Sequence, residues 1–304
     1  MENDSRHARL TTARELLPER SPSRVAMRLP DGYETGVYVY LPPGGVSRAP
    51  VVYLHGIQSH PGWFVGSAAA LAERGHAVFQ PVRRGSGDNQ AGRGHADSAG
   101  QLLADVGSCC RFAAQRTGAE RVHLVGVSWG GKLAAAYAVS RRRTVDIASL
   151  CLVVPGIAAR VDVPRITRLA IGLSLLIAPR RQFDIPLNEP ELFTRNEPML
   201  QYLRNDPHRL LRATAKFLFV SRRLDAALRR APAGALGAPT TLILAERDQI
   251  IDNAAARAAV LRLAGESLAV VHLPGCHTLE FEPQPQPLFD ALAAGIDRGE
   301  RAAT

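Results

Sequence analysis

Residues 122–138 read VHLVGVSWGGKLAAAYA: a run of apolar β-formers, then Gly126-Val127-Ser128-Trp129-Gly130, then an alanine-rich helix. A chain that passes from buried strand to helix within five residues must bring the two elements into close contact. Glycines on either side of the turn permit this, because they have no Cβ to collide. The serine between them is projected off the carboxyl edge of a sheet, at a helix N-terminus where the Trp129 amide faces any negative charge forming nearby. Taken alone, the pattern fits two things: a nucleophile on a strained elbow, or an ordinary glycine-rich strand–helix turn of the kind nucleotide-binding folds use.

Around this turn, short apolar runs alternate with helical stretches, the pattern of a mostly parallel sheet covered by helices. Runs 25–29 and 36–41 flank Pro30-Asp31-Gly32 and predict an opening antiparallel pair. Runs 51–56, 77–82, 122–127, 149–156, 240–247 and 268–275 complete an expected set of eight strands. Helices are expected over 66–74, 99–117, 130–142, 253–264 and 287–298.

The alternation breaks once. Between Gly156 and Thr240 the sequence shows no strand signal, and a structureless loop of that length is uncommon in a compact domain. Apolar periodicity instead predicts helices in ITRLAIGLSLLIAP, PMLQYLRND and DPHRLLRATAKFLFVSRRLDAAL, with APAGALGAP (231–239) returning the chain to the core. The expected organisation is therefore a polar N-terminal segment (1–24), a first core part (25–156), a helical cap insertion (157–236) and a second core part (237–304).

Two further strand ends carry chemistry. TTLILAERDQIID places Asp248 after one strand, and LAVVHLPGCHTLEFE places His277 after the next. A serine hydroxyl is a weak nucleophile at neutral pH and needs a base within hydrogen-bond reach. His277 would take its proton through one ring nitrogen while Asp248 holds the other and stabilises the imidazolium. The chain order Ser128, Asp248, His277, each beyond a strand's carboxyl end, is the order that an α/β-hydrolase triad follows. Asp252, four positions on, is the competing acid.

In YLHGIQSHPGW (53–63), His55-Gly56 closes an early strand. That is where the second amide of an oxyanion hole is expected, so the backbone N–H groups of Ile57 and Trp129 are the candidate donors. His55 is read as orienting this loop. His60 and Trp63 are candidates for lining the substrate pocket, with packing as the equal alternative.

The set His55-Gly56, RRGSG (83–87), GVSWGG (126–131), ERDQIID (246–252) and GCHTLEFE (275–282) resembles the α/β-hydrolase superfamily. Within it, the chain resembles the serine aminopeptidase/monoacylglycerol lipase-like (lysophospholipase-like) group over nearly all of residues 25–298. The resemblance implies that Ser128, Asp248 and His277 are nucleophile, acid and base, and that the cap sits where the group carries its lid. One departure is visible. The group often has Asp before the Arg-Gly pair after the fourth strand, and here PVRRGSG has Val82.

Serine at the elbow disfavours the dehalogenase and epoxide-hydrolase chemistries of relatives that use Asp there. No dinucleotide fingerprint and no metal cluster is visible in the sequence, so neither a cofactor nor a metal is expected. The four cysteines (109, 110, 151, 276) match no zinc spacing and are expected to be buried free thiols.

The net charge is +9, but among the 37 basic residues only Lys132 and Lys216 are lysine, leaving 35 scattered arginines with no interleaved aromatics. Nucleic acid is therefore not expected as a partner. Arg141–Arg143 are expected at the C-terminus of the helix after Ser128, offsetting its dipole.

The polar start shows no secretory signal, and the longest apolar run, Leu169 to Pro179, is about half of the ~20 residues a spanning helix needs. A cytoplasmic location is expected. The expected substrate is a small-molecule or lipid carboxylic ester, and the oligomeric state is left open. The apolar cap run has two readings: an acyl slot with transient contact to a membrane surface, or the cap's own core. Two other functions remain: a proline iminopeptidase-like aminopeptidase, with Glu189, Glu191 and Glu197 as candidate amine ligands, and a silent binding protein.

Overall fold

A computed structural model of the chain describes residues 22–302. Strands β1 (Ser23–Arg28), β2 (Glu34–Tyr40), β3 (Arg48–Leu54), β4 (His76–Pro81), β5 (Arg121–Val127), β6 (Asp146–Val153), β9 (Thr240–Ala245) and β10 (Leu268–Leu273) form one eight-stranded sheet. Its order is β1-β2-β4-β3-β5-β6-β9-β10. The pairings β1–β2 and β2–β4 are antiparallel, and every pairing from β4 to β10 is parallel. Most of the expected residues 1–24 segment lies outside the described residues, and its last two residues begin β1.

The parallel strands are near-continuous apolar runs because helices cover both faces. Val51, Val52, Val78, Leu124, Val125, Leu150, Leu152, Leu242 and Ile243 are fully buried. Helices α1 (Val65–Glu73) and α8 (Gln286–Arg301) pack together on one side of the sheet, against β4 and β6 respectively. Helices α2 (Ala99–Thr117) and α3 (Trp129–Ala138) pack together over β3 and β5. Helix α7 (Asn253–Ala264) packs on β9 and β10.

Between β6 and β9 lie α4 (Arg165–Ile177), α5 (Glu197–Asn205) and α6 (Ala215–Arg230). Here two expectations change. Two three-residue strands, β7 (Gln182–Asp184) and β8 (Arg212–Thr214), pair antiparallel where no strand was expected. Strands that short carry too little alternation to be seen in a sequence. The helix expected from Asp206 starts only at Ala215. Asp206 folds back on the His208 amide at 3.0 Å, and Thr214 caps the helix by accepting from the Phe217 amide at 3.1 Å. Helix α3 is also shorter than expected. It ends at Ala138, so Arg141–Arg143 lie in an exposed turn beyond it. Among the described residues, no helix is long and apolar enough to cross a membrane.

Candidate active site

The carboxyl edge of the parallel strands gathers the site. Ser128 stands between β5 and α3 with φ 53° and ψ −121°. A non-glycine residue is strained there by roughly 1–3 kcal/mol, which the surrounding structure must offset. The Ser128 amide donates to the Val153 carbonyl at 2.8 Å, and its own carbonyl accepts from Gly156 at 2.7 Å. The flanking glycines are required by space: a Cβ on Gly126 would lie 2.6 Å from the Gly130 carbonyl oxygen, and one on Gly130 would strike the Leu54 and His55 carbonyls.

From this elbow the Ser128 hydroxyl donates to His277 Nε2 at 2.9 Å, and His277 Nδ1–H donates to Asp248 Oδ2 at 2.9 Å. The second oxygen, Asp248 Oδ1, accepts the amides of Ile250 and Ile251 at 2.8 and 2.9 Å. Burial of Asp248 works against its charge. The His277 ring and the two amides outweigh burial and hold the carboxyl below its ordinary pKa. Asp252, the competing acid, instead caps α7 by accepting the Ala255 amide.

Gly56 lies close to Ser128, since a Cβ on it would sit 3.8 Å from Ser128 Oγ. Trp129 is the first residue of α3, so its N–H has no intrahelical acceptor. Of the two residues named from the sequence, Ile57 lines the cavity with Ser128 and Trp129 directly follows it at the start of α3. Buried His55 ties this loop to the next. Its Nδ1–H donates to the Gly56 carbonyl at 2.9 Å, and its Nε2 accepts the Arg83 amide at 3.0 Å.

His60 and Trp63 are placed differently from each other. Trp63 lines the cavity at Ser128 with Ile57, Phe193 and His277. His60 does not line it and takes the packing alternative. The His60 ring is buried, with Nε2 on Asp206 Oδ2 at 2.9 Å and Nδ1 accepting the Gly62 amide. Asp206 also takes the Trp63 indole N–H at 2.8 Å. One carboxylate therefore ties the 60–63 loop to the segment after α5, some 140 residues on.

Three residues of the site were not named from the sequence. Arg83 donates to the Ile57 carbonyl at 2.8 Å, and its guanidinium lies 4.9 Å from the Trp129 ring centre and 5.0 Å from that of Phe217. It thereby touches both residues of the candidate oxyanion hole. Ser59 lines the cavity with a buried hydroxyl that has no hydrogen-bond partner. Phe193 sets its ring edge-on to His277 at 5.9 Å. Arg83 and Ser59 stand in the quoted motifs, whereas nothing in the sequence connects Phe193 to His277. Val82, where relatives often have Asp, is buried, and its carbonyl accepts Thr35 Oγ1 at 2.5 Å.

The cavity at Ser128 holds about 10 Å³, scarcely room for one water. A much larger open groove of about 720 Å³ runs along 161–192 and Arg212, and no triad residue lines it. Ser128 and His277 line the small cavity and not the groove. Glu189 borders the large groove, while Glu191 and Glu197 pair with Arg204 on the exposed surface.

No curated relative matches the chain in sequence. Solved structures share its fold. A monoglyceride lipase from Saccharomyces cerevisiae, a soluble variant in complex with a substrate analog, superposes with TM-score 0.78 at 17% identity, covering 92% of this chain and 96% of that one. The monoacylglycerol lipase of Paleococcus ferrophilus gives 0.72 at 20% identity, covering 91% and 99%. A carboxyl esterase from Bacillus coagulans, in complex with glycerol, gives 0.72 at 12% identity, covering 91% and 99%. The Hydrolase_4 family model (serine aminopeptidase, S33) matches residues 45–284, and the chain belongs to that family of α/β-hydrolases.

Proposed function

We propose that the protein is a serine hydrolase that cleaves carboxylic esters through an acyl-enzyme on Ser128. The unbroken Asp248–His277–Ser128 line on a strained elbow carries this reading. His277 Nε2 takes the hydroxyl proton as Ser128 Oγ attacks the ester carbonyl. Asp248 stabilises the imidazolium. The oxygen of the tetrahedral intermediate lies between the amides of Ile57 and Trp129, each donor contributing about 2.7–4 kcal/mol in comparable sites. His277 then protonates the departing alcohol, and water repeats the sequence to release the acid.

Residues 157–236 act as a cap over the core parts 25–156 and 237–304. The substrate is a single-chain lipid ester of monoacylglycerol or lysophospholipid type. Support comes from α4, where Ile166, Leu169, Leu173, Leu176 and Ile177 share one face and are all exposed. Arg165, Arg168, Arg180 and Arg181 are exposed beside them, a combination that fits an anionic lipid surface.

The test is a panel of monoacylglycerols, lysophospholipids, thioesters and aminoacyl amides on wild type and Ser128→Ala, with fluorophosphonate labelling of both. Ester turnover and labelling should vanish together in the folded variant. Undiminished turnover there, or preferred cleavage of aminoacyl amides by the wild type, would refute the proposal.

A further inference from the structure

At the opposite, amino edge of the sheet, three side chains from three elements converge. His76 opens β4, His123 lies in β5, and Glu300 stands in the last turn of α8. One donor atom from each lies within 4.8 Å of the other two.

The imidazoles are oriented from behind. His76 Nδ1–H donates to the Ala49 carbonyl at 2.7 Å, so the neutral ring turns the lone pair of Nε2 toward the cluster. His123 Nδ1 is bonded to Ser149 Oγ at 2.8 Å, which leaves its Nε2 facing the same point. His123 is fully buried and its Nε2 has no hydrogen-bond partner; Glu300 Oε1 stands 3.5 Å away. The other oxygen, Glu300 Oε2, is held by Arg48, which also binds Asp297. That pairing keeps Glu300 ionised with Oε1 available, and Asp297 offsets the charge of Arg48.

We infer that His76 Nε2, His123 Nε2 and Glu300 Oε1 form a binding site for a divalent transition metal such as Zn²⁺. Two imidazoles and one carboxylate select such an ion over Mg²⁺ or Ca²⁺. Hydrogen bonds that fix the far ring nitrogen are the usual support of metal-binding histidines. Tetrahedral bonds of ~2.0–2.2 Å place ligands about 3.4 Å apart, so the donors need only draw together by an ångström or so. Glu300, half-buried near a helix end, has the freedom to move. The ion staples α8 to β4 and β5, across the sheet from Ser128, and has no part in ester cleavage.

The test uses tag-free full-length protein titrated with Co²⁺ and Zn²⁺. One Co²⁺ should bind per chain with the intense visible absorption of four-coordinate cobalt, and Zn²⁺ should raise Tm. His76→Gln and Glu300→Gln should each weaken Co²⁺ binding at least about tenfold, with ester turnover unchanged as the check on folding. Glu300→Gln, at the half-exposed position, guards against a folding defect in the histidine variant. No Co²⁺ binding by the wild type, or equal binding by a folded Glu300→Gln variant, would overturn the site.

Discussion

Replacing Arg83 by Met tests the candidate oxyanion hole without touching the nucleophile. Met keeps the aliphatic stem. It removes the bond to the Ile57 carbonyl and the cation over the Trp129 and Phe217 rings. A buried hydrogen bond from a charged group contributes about 1.5–3 kcal/mol, and a shielded cation–π contact about 0.5–2. Only the part that positions the two amides is felt in the transition state, and its ceiling is the ~2.7–4 kcal/mol of a lost donor. A fall in kcat of about 10- to 100-fold follows, at ~1.4 kcal/mol per factor of ten. Because Arg83 acts through the loop, KM for a short p-nitrophenyl ester should change far less than kcat. Arg83→Lys, which keeps the charge but loses the planar fork, should recover part of the rate. A kcat within threefold of wild type in a folded Arg83→Met protein, or a loss confined to KM, would refute the positioning role.

Three other perturbations follow. Burial pushes the Glu280 carboxyl up to about 7, even though its Oε1 accepts the Ser67 amide. Since the folded state holds that proton more tightly, its stabilising contribution is complete below the ordinary carboxylate range and is lost as pH rises toward about 7. Glu280→Gln should therefore raise Tm more at pH ~8 than at pH ~5, and calorimetry showing the reverse would refute the assignment. Lys132 and Asp225 form a buried pair at 2.7 Å between α3 and α6. Asp225→Leu should cost about 3–5 kcal/mol in denaturant unfolding, and adding Lys132→Met should restore most of it. Leu173→Glu with Leu176→Glu should weaken sedimentation with anionic vesicles while hydrolysis of a soluble ester stays intact; unchanged binding would remove α4 as the lipid-facing surface.

The core and the strand ends where Ser128, Asp248 and His277 meet were legible because both follow from short-range rules. Strands covered on both faces read as unbroken apolar runs, and Ser128, Asp248 and His277 stand where those runs end. The glycines at 126 and 130 are a local steric demand, visible in any window that contains them. What the sequence concealed lies in pairs distant along the chain. His60 could line the pocket or pack, and its packing partner, Asp206, stands 146 residues away. Arg83 looked like one of 35 arginines, and nothing in the sequence aims it at Ile57 and Trp129. Strands β7 and β8 are too short to show a period, and His76, His123 and Glu300 meet only because β4, β5 and α8 do.

The segment between β6 and β9 is tied to the core in two ways, and the difference bears on how substrate reaches Ser128. Helix α6 sits on α3 through the Lys132–Asp225 pair, the Trp129 indole N–H donating to Ser221 Oγ at 2.9 Å, and Trp129 stacked on Phe217 at 5.2 Å. Lifting α6 would strand a buried ammonium and disturb Trp129, one of the two candidate oxyanion donors. The stretch around Phe193 is held near His277 by the Thr278 amide donating to the Phe193 carbonyl at 2.9 Å and by ring edges against His277 and Trp63. It is held also by Asn196 Nδ2 donating to the Phe281 carbonyl at 2.8 Å, and by buried Arg209, whose guanidinium lies 5.3 Å from the Phe193 ring centre and donates to the Leu187 and Asn188 carbonyls and to Gln58. Phe193 lines the cavity at Ser128, while the apolar face of α4 is exposed. Opening the cavity on the Phe193 side would break these ties, Arg209's included, but would leave the α6–α3 contacts and Trp129 in place.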